Sequence, residues 1–352
     1  MSTVKAHALA DVTPALSLQP INFAAKDPGV GGWRPLLAQG VGADKAGIDR
    51  LVVSDHVILG ENLDKYGDPS AGGTEGGVQP TGPEGHWLDP LTVISMWAAT
   101  TTHTRFMTGI LLAGLRRPAT LAKQLSTIDV LSEGRLDIGV GVGWQREEYE
   151  ANGVSYKGRG QLLDQTLEIC QTLWTVESAA YSSPKYSFEK IHLNPKPLAS
   201  GGIPLWISGT LNKNVLRRIV RFGSGWIPWG PDALDPIGSL AKIAEEMEKG
   251  GRDMEGFQAG SYLQVVEDGG QARLGFGARG GVVALEGQAE AHVALEHADP
   301  DGVRARGRLG RRAPVDDYIG AEQTRHGTRL RRGEGSRAST PPAASKPVQE
   351  SA

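Results

Sequence analysis

Apolar and polar positions alternate in short blocks along the first 270 residues, and the period switches back and forth between two and about 3.6. ALSLQPINF (15–23) alternates as a first strand. WRPLLAQGVGADKAG (33–47) has helical spacing with a glycine-rich finish, and IDRLVVSDHV (48–57) is a strand running into a loop. DPLTVISMWAATTTH (89–103) predicts a helix with Asp89 as N-cap and Pro90 at the first position, where the missing N–H is not needed. RFMTGILLAG (105–114) is an unbroken apolar run, as in strands covered on both faces. RPATLAKQLSTIDVLSEG (117–134) is a helix and RLDIGVGVGW (135–144) a fourth strand. A helix over 158–174 follows, then an irregular stretch ending in NPKPL. Strands at 203–209, 224–229 and 256–266 complete the pattern, with helices at 212–223 and 236–251 between them.

Strand then helix, repeated, predicts a parallel sheet. Seven such units within about 250 residues fit a (β/α)8 TIM barrel, which has this usual size. A dinucleotide fold would need its glycine fingerprint at a strand-to-helix turn. Here Gly139-x-Gly141-x-Gly143 lies within the strand, and Trp144 stands where a further glycine would be required. Three glycines at a spacing of two face one side of that strand. Either something flat and bulky lies against the bare face, or the glycines relieve crowding inside the barrel. Gly143, nearest the C-terminal mouth, favours the first reading; Gly139 fits both.

Hydrophobic content of 39% and charged content of 22% describe an ordinary globular chain, and a net charge of -3 argues against a nucleic-acid binder. The first twenty residues lack the pattern of a signal peptide, and no apolar run has the length of a membrane span. The single Cys170 forms no internal disulfide, which implies a reducing, cytoplasmic setting. With Leu163, Leu167 and Trp174 at helical spacing around it, Cys170 reads as a core thiol. No histidine and cysteine spacing suggests a metal.

Beyond about residue 270 the character changes. The chain before that point carries 12 arginines and 12 lysines; from Ala272 onward it carries 12 arginines and the single Lys346. All eight tryptophans lie at or before Trp229. The expected organisation is an extension over 1–14, a barrel domain over 15–270 and an atypical Gly/Arg/Ala-rich region over 271–352, its last forty residues disordered. Such a composition arises from an out-of-frame read of a GC-rich gene, or serves as a solvated basic tail. In both cases the eighth barrel strand is not evident from the sequence.

Several segments carry a family resemblance. DVLSEGRLDIGVGVGWQREEYEANGV, VVSDHV, RFMTGILLAGLRRPATLAKQ, and NPKPL followed by IPLWISGTLNKNVLRRIVRFGSGWIPW resemble, in this order, the bacterial luciferase-like monooxygenase family, in particular its deazaflavin-dependent branch. The resemblance runs from about residue 15 to about 267. It implies a TIM barrel that binds FMN or an 8-hydroxy-5-deazaflavin (coenzyme F-420) at its C-terminal mouth, a small-molecule substrate, and a homodimer. It also implies that Gly141 and Gly143 leave space for the cofactor ring.

Asp55 and His56 end the second strand, where barrel enzymes place chemistry, and are the candidate catalytic residues. The imidazole would hydrogen-bond the ring or substrate; the alternative is a histidine capped by its neighbour Asp55. Gly109-Ile110 matches the position of a cis peptide pressed against the ring in the family. Gly209, Thr210 and Asn212 lie between a strand and its helix, where exposed amides suit a cofactor phosphate. Trp144 stands where sugar-phosphate-oxidising relatives have a carboxylate, and implies an apolar wall instead. Glu147 and Glu148 read as surface residues at a helix start. The long loop 59–87 is a candidate lid; simple disorder is the other reading. The expected function is oxidoreduction with deazaflavin, with two rivals. One is an FMN monooxygenase that uses oxygen; the other is a non-catalytic barrel disabled by its tail.

Overall fold

The computed structural model describes residues 15–268, 271–276 and 290–295, with side chains from residue 15 to 260. The expectations for the 1–14 extension and the last forty residues lie outside the described residues. In chain order the elements are β1 (Ala15–Gln19), β2 (Phe23–Ala24), α1 (Arg34–Ala46), β3 (Arg50–Val53), β4 (His86–Trp87), α2 (Pro90–Ala98), β5 (Arg105–Leu111), α3 (Pro118–Leu131), β6 (Leu136–Val140) and α4 (Arg146–Ala151). There follow α5 (Arg159–Thr175), β7 (Ala179–Ser182), β8 (Ser187–Ile191), β9 (Leu205–Ser208), α6 (Lys213–Phe222), β10 (Gly223–Ile227), α7 (Pro236–Lys249), β11 (Gln258–Asp268), β12 (Gln271–Phe276) and β13 (Glu290–Leu295).

Seven strands run parallel in the order β1–β3–β5–β6–β9–β10–β11. Their burial on both faces explains the unbroken apolar runs: every residue of β3 and of β6 is buried. The TIM-barrel expectation is correct, with one finding that the alternation did not predict. β13 pairs antiparallel with both β11 and β1, so an antiparallel strand closes the ring of eight. Antiparallel neighbours need no crossover helix.

The expected strands and helices recur with ends moved by a few residues. Asp89 caps α2 by accepting from the Thr92 amide at 2.9 Å. Cys170 is buried among apolar neighbours, and burial pushes its thiol up to about 12. The stretch before NPKPL contains the β7–β8 hairpin, whose mostly exposed residues show no hydrophobic alternation to read.

At the N-terminal ends of the strands the interior is filled by charge. Asp137 on β6 binds Arg50 of β3 at 2.9 Å and Arg105 of β5 at 2.7 Å. Arg50 also reaches Gln258 on β11, and its guanidinium lies 4.7 Å from the Trp206 ring centroid. This network forms the floor of the barrel and leaves the opposite end to the loops.

Candidate active site

The C-terminal ends of the strands carry the residues singled out above. Asn22 is fully buried and acts as a clamp: its amide donates to the carbonyls of Ser54 and Leu88, both at 2.9 Å. That fixes the segment after β3, with Asp55 and His56, beside β4. Asp55 does not cap His56. Its carboxylate accepts from the Leu112 amide at 2.8 Å and from Arg116 at 2.7 and 3.1 Å. Burial lowers the Arg116 pKa, but the facing carboxylates of Asp55 and Asp89 outweigh it and hold the guanidinium above its usual value. Asp55 is therefore committed to positioning the end of β5.

His56 faces a residue read from the sequence as a surface acid. Its Nδ1 lies 3.2 Å from Glu148 Oε2, while Oε1 of the same carboxylate accepts the Val57 amide at 2.9 Å. Glu148 is only 1% exposed. Its neighbour Glu147 points elsewhere and binds Asn62. A carboxylate on Nδ1 favours the tautomer with its proton there and leaves Nε2 for other partners. A signal for Glu148 did exist. Gln145, Glu148 and Tyr149 share the i, i+3, i+4 face that α4 and its N-cap bury, and adjacency to Glu147 masked it.

Aromatic rings continue outward from this pair. Phe23 stacks on Trp87 at 4.2 Å between centroids, and Trp87 meets the His56 ring edge-on at 4.6 Å. His56 lies 6.0 Å from Trp144, which lies 5.5 Å from Tyr66, which lies 6.0 Å from Trp229. Trp144 is 5% exposed, and its Nε1 is buried with no hydrogen-bond partner among the described residues. The Nε of Arg159 is in the same position. Each such donor costs about 1–3 kcal/mol unless an acceptor meets it.

The loop 59–87 is hydrogen-bonded to the segments that follow β6 and β10. Gln145 exchanges two hydrogen bonds with the Gly60 backbone, both at 3.0 Å. Tyr156 and Arg159 both donate to the Ala71 carbonyl at 2.9 Å, and Trp229 Nε1 donates to the Gly73 carbonyl at 3.1 Å. Tyr66, carried by this loop, is the ring between the two tryptophans.

The glycine row has a different basis from one strand face. β6 ends at Val140, so Gly141 and Gly143 lie beyond the regular strand. A Cβ on Gly139 would run into the Thr108 carbonyl oxygen, which supports the crowding reading at that position. A Cβ on Gly141 would stand 2.9 Å from Ile110 Cδ1, and one on Gly143 2.7 Å from Leu112 Cδ2. Gly143 also has φ +66°, a conformation that side chains other than glycine's rarely adopt. Gly109-Ile110, the peptide matched by the resemblance, is cis.

The turn before α6 uses its polar groups within the chain. Asn212 accepts from the amides of Asn214 and Val215 at 2.9 and 3.1 Å as the N-cap of its own helix. The Leu211 amide donates to Asp232 Oδ2 at 2.6 Å, and Thr210 Oγ1 reaches the Trp229 carbonyl at 3.4 Å. A carboxylate thus stands in this structure where an anion was expected beside Gly209, Thr210 and Asn212.

A family model described as luciferase-like monooxygenase matches residues 15–274. The chain belongs to this family. An uncharacterized protein of Mycobacterium tuberculosis, Rv0953c, is 34% identical over 158 residues, covering 44% of this chain and 56% of the relative. An F-420-dependent hydroxymycolic acid dehydrogenase of the same organism is 26% identical over 195 residues, covering 54% and 53%. The chain spans about half the length of these curated relatives. Among solved structures, an F-420-dependent secondary alcohol dehydrogenase in complex with an F-420-acetone adduct superposes with a TM-score of 0.53 at 18% identity, covering 69% of this chain and 66% of that one. That likeness is one of fold. The family is one of oxidoreductases and monooxygenases.

Proposed function

We propose that the protein is a deazaflavin-dependent oxidoreductase acting on a small organic substrate at the C-terminal mouth, with His56 as the polar group beside the reacting centre. The observation that carries this reading is the His56–Glu148 pair, set among aromatic rings where barrel enzymes place their chemistry. Similarity to an F-420-dependent dehydrogenase supports the choice of cofactor.

The residues present suit a flat, oxygen-rich group. A buried donor, Arg159 Nε, has no acceptor among the described residues, and the wall around Trp144 is aromatic. Gly109, Ile110, Gly141 and Gly143 would flank the ring, with Trp144 beside it. An anionic tail at Gly209, Thr210 and Asn212 would replace the Asp232 carboxylate on the Leu211 amide. When bound, the deazaflavin would supply or accept the hydride. The chain's own part is to hold and orient. Glu148 fixes the imidazole so that Nε2 can hold or release a proton at a substrate oxygen, and the 59–87 loop excludes water. Asp55 keeps this end of β5 in place and does not react. The buried lone thiol agrees with a cytoplasmic setting, and a homodimer is part of the same proposal.

Fluorescence titration with coenzyme F-420, repeated with FMN, tests the reading. Saturable deazaflavin binding that survives His56→Ala while turnover is lost is the expected result. FMN binding in its place moves the assignment to oxygen chemistry. Binding of neither overturns both and leaves a non-catalytic barrel.

A further inference from the structure

We infer that Trp144 is the specificity-determining residue of the mouth: its indole Nε1 donates to an uncharged carbonyl or hydroxyl oxygen of a substrate whose apolar body lies along the aromatic row. The inference rests on the reading of the mouth as a substrate site, and assigns the ligand that the site takes.

Three observations carry it. The first is the orphaned donor. Trp144 is more than nine-tenths buried, yet its N–H meets no acceptor among the described residues, whereas Trp87, Trp97, Trp174, Trp226 and Trp229 each donate to one. The second is rigidity. The Tyr156 hydroxyl donates to the Trp144 carbonyl at 2.9 Å, and Tyr149, through its hydroxyl, holds the Val142 carbonyl at 2.6 Å two residues earlier. The indole is also bracketed by His56 and Tyr66. A donor fixed in this way selects by geometry, because no rotation has to be frozen when the ligand arrives.

The third observation is charge. An N–H donor can serve an anion as well as a neutral oxygen. Here the carboxylate of Glu148 stands immediately behind the His56 ring, the neighbouring Asp55 is already neutralised by Arg116, and the Arg159 guanidinium lies over the Tyr156 ring and donates to the Ala71 carbonyl. A negatively charged ligand beside His56 would meet the Glu148 carboxylate across one imidazole. Phe23, Trp87, Trp144, Tyr66 and Trp229 offer faces and edges to an apolar body. A neutral acceptor with an alicyclic or aromatic frame satisfies all three conditions.

The test uses the full chain with 15N-labelled tryptophan, cyclohexanone as the neutral probe and cyclohexanecarboxylate as its charged counterpart. Trp144→Phe keeps the ring and removes only the donor, and it identifies the Trp144 indole resonance in the wild-type spectrum. Cyclohexanone is expected to move that resonance downfield, and the substitution to weaken cyclohexanone binding about fivefold, the scale of one neutral hydrogen bond. The carboxylate should bind more weakly than the ketone. The wild-type spectrum alone answers the question if Trp144→Phe does not fold. Equal ketone binding by the variant, no saturable ketone binding, tighter binding of the carboxylate, or a Trp144 shift produced by the coenzyme and not by the ketone would each overturn the inference. Loss of coenzyme binding with the ketone response intact would instead count against the proposed redox function and leave the assignment of Trp144 standing.

Discussion

The floor and the mouth of the barrel both bury a carboxylate beside a nitrogen base, and they treat it in opposite ways. On the floor, Asp137 uses both oxygens on Arg50 and Arg105, and Arg50 is further held by Gln258 and the Trp206 face. At the mouth, Glu148 binds one nitrogen of His56, and two nearby donors have no acceptor among the described residues. A saturated network is a structural joint. One with unpaired donors has room for an acceptor from outside the chain.

The comparison can be broken by substitutions at each end. The largest effect is expected from Asp137→Ala, which leaves two guanidinium groups facing each other inside the floor. Unfolding by urea should show a loss of about 3–5 kcal/mol. His56→Ala should cut turnover by about a hundredfold or more and cost only about 1–3 kcal/mol, because Glu148 keeps the Val57 amide. If both variants lost stability alike, the mouth would be structural and the contrast would collapse.

Acid sensitivity sharpens the comparison from a third place. Burial raises the pKa of Asp44, but the amides of Thr104, His103 and Thr102 outweigh it and hold the carboxyl below its usual value. Its folded pKa is depressed, so its stabilisation is present above the ordinary carboxylate pKa of about 4 and is lost as pH falls through the lower folded value. Asp44→Asn should flatten that part of the acid limb in a thermal-melt series and leave neutral-pH activity intact. The smallest effect concerns Cys170. With its thiol at about 12, native protein at pH 8 should react with iodoacetamide only as fast as it unfolds. Burst labelling of the folded chain would contradict the core placement.

Much of the frame was legible. Seven parallel strands with a helix in each of the six crossovers, the Asp89 cap and the core thiol follow from period and local chemistry, and the structure has them all. The site was legible in part. His56 was found at a strand end, but Asp55 was read as its chemical partner and proves to bind Arg116. Glu148 was read as a surface acid because it follows Glu147 at a helix start. The turn before α6 was read as open to an anion, since nothing in GTLN announces that Asp232, twenty-one residues away from Leu211, will meet its amide.

The sequence by itself determined which segments are strands and helices, because burial imposes a period on side chains that neighbours a few residues apart reveal. That Gly139 and Gly143 stand where a side chain would be refused or strained came from the structure, since the spacing left Gly139 open and favoured ring space at Gly143. Only the tertiary structure decided which charges meet. His56 and Glu148 are separated by 92 residues, Arg50 and Asp137 by 87, and each pair is brought together by the parallel pairing of β3, β5 and β6. The direction of the closing strand was decided in the same way, by pairing with β1 and β11 across the whole domain. Hydrogen bonds and ion pairs act over a few ångströms in space, and only the folded chain sets those distances.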